Sequence, residues 1–107
     1  MDSRPKTAEE YVELINQALF EIDDLRAAAE YDAESMGGVV EFLGHLDRDV
    51  RGLKQAMLEG RYQFNNSDLP FMRVVEAQDD RILPFKYLLR VINATHRMGL
   101  NVDGEDS

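Results

Sequence analysis

The chain has 107 residues, 44% of them hydrophobic, with a formal net charge of −9 and no cysteine. This length fits one domain, 1–107, that can bury a core without disulfides or a cysteine-based zinc site. The acidic balance argues against nonspecific binding to DNA or anionic membranes, and no apolar run approaches the roughly 18 residues of a membrane span. The start of the chain lacks a signal-peptide pattern, so we expect a cytoplasmic protein.

The first predicted element is a long helix over residues 8–36, preceded by residues 1–6, which we expect to be disordered. Thr7 and Glu10 form a capping-box pattern at its start. Apolar residues then recur at alternating spacings of four and three, which places them on one face of the helix. This stripe comprises Tyr11, Ile15, Ala18, Ile22, Leu25, Ala29 and Met36.

A second long helix is predicted over residues 39–58, after the pair Gly37-Gly38. It repeats the same alternation and ends before Gly60, where a left-handed cap is favoured. Its stripe comprises Val39, Leu43, Leu46, Val50, Leu53 and Met57. Two helices with matching stripes, joined at a double glycine, predict an antiparallel helical hairpin.

A loop and a short third helix are predicted next. The loop covers residues 61–70, and we expect Tyr62 and Phe64 to pin it over the end of the hairpin. Either Ser67 or Asp68 can cap the third helix, because short polar side chains accept a hydrogen bond from the first turn.

A fourth helix is predicted over residues 84–98, since Pro84 breaks the preceding helix at about Asp79 and Gly99 ends the new one. Residues 101–107 are acidic and expected to be disordered. The predicted fold is therefore all-α and bundle-like, with two shorter helices packed on a long hairpin.

Four carboxylates on the first helix are the first candidate for chemistry. They share one flank at helical spacing and comprise Glu10, Glu13, Glu21 and Asp24. Glu-x-x-Glu followed by Glu-x-x-Asp resembles the metal-binding pattern of all-α nucleotide pyrophosphohydrolases, and implies a metal-dependent phosphohydrolase-like enzyme as an alternative function. That family draws its pairs from two facing helices, whereas here both lie on one helix. A solvated acidic face is the favoured interpretation.

Neither histidine forms a recognisable site. His45 has no second histidine near it, and His96 is interpreted as a cation in the last turn of the fourth helix, where the helix dipole favours positive charge. The chain has no nucleophile elbow and no glycine-rich phosphate loop. We therefore assign no catalytic, cofactor-binding or metal-ligating residue and expect no enzyme.

A basic stripe on the fourth helix comprises Lys86, Arg90 and Arg97, with Asn93 in line. At about 100° per residue these side chains lie within about 40° of one another. Three cations in a chain of net charge −9 make a poor nucleic-acid footprint. The favoured interpretation is a solvated face or pairing with acids of the first helix, and binding of an anionic partner is the alternative.

The most informative feature is a second apolar stripe on the first helix. Phe20, Ala27 and Tyr31 lie near 180° from the first stripe, so this helix needs two partners: its own C-terminal helices or another subunit. A helix over residues 8–36 would span about 43 Å, more than the roughly 34 Å diameter of a compact domain of this size.

The leading hypothesis is a non-catalytic interaction or regulatory module, homodimeric through helix one, with an unidentified protein partner also possible. An acidic nucleic-acid mimic is the second alternative and rests on net charge alone.

Overall fold

The computed structural model describes residues 3–102, apart from the side chains of residues 33–37. Within this range the chain forms four helices and no strand: α1 (Ala8–Tyr31), α2 (Ala33–Leu58), α3 (Met72–Ala77) and α4 (Lys86–Met98). Helices α1 and α2 pack along each other, α4 packs on α1, and α3 packs on α4. The predicted all-α, bundle-like fold is confirmed. No helix of the described range is long and apolar enough to cross a membrane.

Helix α1 begins at the predicted cap. The Thr7 hydroxyl accepts a hydrogen bond from the Glu10 amide at 3.1 Å, and the Glu10 carboxylate accepts one from the Lys6 amide at 2.8 Å. The glutamate thus reaches one residue further back than in the usual capping box. The acids Glu9 and Glu10 also lie in the first turn, where the helix dipole favours negative charge.

The connection between α1 and α2 differs from the prediction. Asp32 alone separates the helices, with φ −117° and ψ 52°, outside the α-helical region. The predicted helix end at Met36 and the turn at Gly37-Gly38 are wrong, because the backbone of residues 33–40 is helical. A glycine within a helix costs only about 1 kcal/mol relative to alanine, so the pair need not stop it. The Met36 side chain lies outside the described residues.

The hairpin is antiparallel and contains most of the predicted core. Asp23 lies 3.6 Å from Arg51 and Arg26 lies 3.6 Å from Asp47, so later positions on α1 face earlier positions on α2. The fully or nearly buried members of the two predicted stripes are Tyr11, Ile15, Ala18, Ile22, Ala29, Leu43, Leu46 and Val50. Partly buried against them are Leu25, Val39, Leu53 and Met57.

The C-terminal helices are shorter than predicted. Helix α3 has six residues and begins after Phe71 without a side-chain cap, so the predicted cap at Ser67 or Asp68 is wrong. Asp68 instead accepts a hydrogen bond from the Asn93 amide at 2.9 Å. Gly60 and Gly99 follow α2 and α4 with positive φ values of 72° and 86°, which only glycine adopts readily, so both predicted helix ends are confirmed.

The two ends of the described chain lie together. Arg4 Nη1 donates to the Gly99 carbonyl at 2.9 Å, and the Asn101 amide donates to the Pro5 carbonyl at 2.8 Å. These contacts involve residues within the segments predicted to be disordered, whose remaining residues, 1–2 and 103–107, lie outside the described range. The molecule extends 47 × 30 × 22 Å, so its long dimension exceeds the about 36 Å of α1.

Candidate interaction surface

The side of α1 that faces away from the core carries its second apolar stripe in the open. Phe20 is 68% exposed, Tyr31 is 95% exposed, and Ala27 between them is exposed as well. Within the described range, neither α3 nor α4 covers these side chains, since α4 lies against the other side of α1 and α3 packs on α4. Within the described range this stripe is therefore left uncovered.

Helical spacing extends this stripe into a longer seam. Exposed residues recur along α1 at spacings of four, three, four, three and four: Glu13, Gln17, Phe20, Asp24, Ala27 and Tyr31. We call these six residues the exposed α1 seam. The same alternation places residues at the contact line between two packed helices in coiled coils. The exposed α1 seam thus has the register of a helix-packing surface, with aromatic and acidic side chains along one line.

The charge of α1 is strongly negative. The helix carries seven acids and one base, Arg26. That base is directed at the hairpin, with its Nη1 atom 3.6 Å from Asp47 Oδ2 on α2. The outward side of α1 therefore presents carboxylates next to exposed aromatic rings.

A network of four charged residues crosses the hairpin and fixes its register. Asp47 is 8% exposed, and its Oδ2 atom accepts from Arg51 Nε at 2.9 Å, which raises the pKa of Arg51. Arg51 also lies 3.6 Å from Asp23. Arg26 Nε and Asp47 Oδ1 are buried without a hydrogen-bond partner. Each such atom costs about 1–3 kcal/mol of folding free energy. The network therefore contributes more to the alignment of α1 with α2 than to stability. Sequence reasoning missed this network, although the hairpin register alone would have brought α1 acids opposite α2 bases.

The basic stripe of α4 is paired within the chain. Arg90 donates to both carboxylate oxygens of Glu76 at 2.8 and 2.7 Å, which lowers the pKa of Glu76 and raises that of Arg90. Arg97 lies 3.3 Å from Asp68. The partner acids follow the hairpin in sequence, so the part of the favoured interpretation that pairs this stripe with acids of the first helix is wrong.

Lys86 is the buried member of the stripe. Its side chain is 8% exposed, and its Nζ atom donates to the Gln78 carbonyl at 2.5 Å and pairs with Asp80 at 3.0 Å. Asn93, in line with the cations, accepts from the Leu69 amide at 2.8 Å. The stripe therefore fastens the segment of residues 66–80 onto α4, and an anionic partner would have to compete with these contacts.

The loop after the hairpin is held by aromatic contacts, as predicted. The ring centroids of Tyr62 and Phe64 lie 5.7 and 5.9 Å from that of Tyr11 in the core. Burial raises the pKa of Tyr11 and of Tyr62. Both hydroxyl groups therefore keep their protons and remain hydrogen-bond donors at neutral pH.

His96 ends a chain of hydrogen bonds through these tyrosines. The Tyr11 hydroxyl donates to the Ile92 carbonyl at 3.2 Å and lies 2.9 Å from the Tyr62 hydroxyl, which lies 2.7 Å from His96 Nδ1. Because each hydroxyl has one proton, Tyr62 must donate to Tyr11, and His96 must donate from Nδ1. Burial lowers the pKa of His96 and so favours the neutral ring, which disfavours its predicted role as a cation in the last turn of α4.

The carboxylate candidates do not converge. In the part of the chain that the structure describes, no group of three or more histidine, aspartate and glutamate side chains is placed to hold a metal ion. Glu10 is used in the helix cap, whereas Glu13 and Asp24 lie on the exposed α1 seam. The other histidine, His45, lies 2.6 Å through Nδ1 from Arg48 Nη2.

Comparison with known proteins adds no assignment, since no protein-family model, curated protein or solved structure matches this chain.

Proposed function

We propose that this protein is a small, non-catalytic interaction or regulatory module that binds another polypeptide through the exposed α1 seam. The proposal rests on one observation: Phe20 and Tyr31 are 68% and 95% exposed on the same face of α1. Aromatic side chains supply large apolar contact areas and are enriched at the centres of interfaces. A single exposed ring is ordinary, but two rings at helix-packing spacing, with the small Ala27 between them, leave a shallow site suited to a helix.

A second copy of the chain is the first occupant that we propose, giving a homodimer through α1. A twofold contact brings the same surface of each subunit together, so the exposed α1 seam would pair with itself in the antiparallel direction. In one such register Phe20 would meet the partner subunit's Tyr31. The seam acids would also approach one another, so association should strengthen as salt screens their repulsion.

The molar mass in solution tests the homodimer. Light scattering at micromolar concentration should give twice the chain mass of 12.3 kDa at high salt and a smaller fraction of dimer at low salt. Phe20→Asp should yield a folded monomer, because the substituted side chain is exposed. Tyr87→Asp is the matched control, since this ring on α4 is 59% exposed and lies off the seam. A wild-type mass of 12.3 kDa at every salt concentration would exclude the homodimer.

The charge of α1 favours one further candidate, an acidic nucleic-acid mimic that occupies a DNA-binding protein. Seven acids against one base on a single helix support it. Such a mimic competes with DNA for a basic partner, and the competition weakens steeply with salt. The sign of the salt dependence therefore separates it from the homodimer.

A further inference from the structure

The middle of the exposed α1 seam holds a charge, and this charge identifies the kind of helix that fits the seam. Asp24 is exposed between Phe20 and Ala27. In a twofold antiparallel pair that aligns Phe20 with the partner subunit's Tyr31, the symmetry axis passes between Asp24 and Ala27. The two Asp24 positions then lie about 4.5 Å apart along the helix axis, at 1.5 Å per residue. A second copy therefore brings like charges together at the centre of the contact, which opposes association.

We propose that the exposed α1 seam also recognises a cationic amphipathic helix of another protein and binds it more tightly than it binds a second copy of this chain. Apolar side chains of that helix pack against Phe20 and Tyr31, and a lysine or arginine pairs with Asp24 between them. This inference rests on the proposed function, because it names the occupant of the same surface. A single charged residue within a helix seam selects partners by excluding those that leave it unpaired.

Two further features favour this occupant. Seven of the eight charged residues of α1 are acids, so the approach of a positively charged helix is electrostatically steered. The seam from Glu13 to Tyr31 extends about 27 Å, or five helical turns, which matches an ordinary helix in length. The partner is thus specified by chemistry: apolar side chains that contact Phe20 and Tyr31, and a cation opposite Asp24 between them.

Two synthetic helical peptides of about 20 residues, long enough to span the seam, provide the test. Both carry leucine at the seam positions and uncharged polar residues elsewhere, and they differ only in a central lysine or glutamate. Calorimetry should show that the wild-type protein binds the lysine peptide about tenfold more tightly than the glutamate peptide, because like charges across an interface are costly. Asp24→Lys should reverse this preference.

Glu41→Lys is the matched control, because Glu41 is exposed on α2 and the substitution changes the net charge equally. This variant should keep the wild-type preference. Phe20→Asp should weaken binding of the lysine peptide at least as much as Asp24→Lys does, since it removes the apolar contact next to the charge.

Each remaining outcome overturns the inference in a distinguishable way. Equal binding of both peptides, or loss of the preference in Glu41→Lys, would show that Asp24 does not select the partner. Undiminished peptide binding to Phe20→Asp would place the peptide elsewhere. If the protein has twice the 12.3 kDa chain mass and binds neither peptide, the inference is excluded and the proposed function stands with a second copy as occupant. If the protein is a monomer and binds neither peptide, both the inference and the proposed function are excluded.

Discussion

The exposed α1 seam and the basic stripe of α4 are both charged lines at helical spacing, but the chain treats them differently. Each cation of the stripe has an acidic partner in the segment that precedes α4: Lys86 with Asp80, Arg90 with Glu76, and Arg97 with Asp68. The seam instead leaves carboxylates and aromatic rings exposed side by side. The difference shows that charge spacing on a helix does not by itself mark a binding surface. Whether such a line of charges remains exposed depends on whether the rest of the chain supplies the opposite charge.

The basic stripe and the exposed α1 seam contribute differently to the fold. The stripe fastens residues 66–80 to α4 and so belongs to the fold, whereas the seam contributes nothing to the described core. Substitutions in the stripe should therefore change stability, and substitutions in the seam should change association.

The largest expected effect lies in the hairpin core, on which both surfaces depend. Leu46→Ala should lower the free energy of unfolding by about 2–5 kcal/mol, because Leu46 is 1% exposed and its truncation leaves a cavity. Urea denaturation followed by circular dichroism measures this change. Glu13→Ala, on the seam, is the control and should change stability little. A cost below about 0.5 kcal/mol for Leu46→Ala would mean that this leucine does not pack in the core.

The parts of the fold that depend on periodicity could be predicted from the sequence. Leu43, Leu46 and Val50 follow the helical spacing and are buried, since a helix in contact with a core must bury one side. Gly60 and Gly99 end their helices because only glycine adopts the required backbone angles readily. The second stripe with Phe20 could be found in the same way, and its exposure follows from the short C-terminal helices.

The incorrect predictions concern features that are determined by small energy differences or by contacts between residues distant in sequence. Helix α1 ends at Tyr31 rather than at Met36, and both Gly37 and Gly38 lie within α2, since each glycine costs a helix only about 1 kcal/mol and residue spacing does not determine the boundary. Asp68 has the residue type of a helix cap, but the path of the loop brings it to Asn93. His96 lies in the last turn of a helix, but the loop that carries Tyr62 buries it. The outcomes for Asp68 and His96 each depend on a partner far away in sequence.

Charge reversal should distinguish the buried member of the basic stripe from its exposed members. Lys86→Glu should lower the free energy of unfolding by about 1–3 kcal/mol or more, because it places a carboxylate in a buried site beside the Gln78 carbonyl and Asp80. Arg97→Glu should have a smaller effect, since that side chain is 45% exposed. Urea denaturation of both variants tests this order. Equal costs for the two reversals would contradict the assignment of Lys86 as the buried anchor.

The smallest expected effect concerns pH and His96. Burial lowers the pKa of His96 below its ordinary value of 6.5, so the folded state favours the neutral ring. This contribution to stability is full above the unfolded pKa and declines as the pH falls from that value towards the lowered folded pKa. It should be small, because Nδ1 can donate to Tyr62 in both protonation states, and only burial of the charge opposes protonation.

A His96→Asn variant isolates this contribution, since its amide can donate to Tyr62 but does not titrate. The stability of the wild type relative to the variant should fall as the pH decreases below about 6.5, as measured by urea denaturation from neutral pH downwards. The acids with lowered pKa values, such as Glu76, lose their contributions only at lower pH, below the ordinary glutamate value of 4.5. A wild type that gains stability relative to the variant on acidification would show that the ring is protonated in the folded chain. The helix dipole at the end of α4 would then outweigh burial, and the surface next to Arg97 would carry one more positive charge.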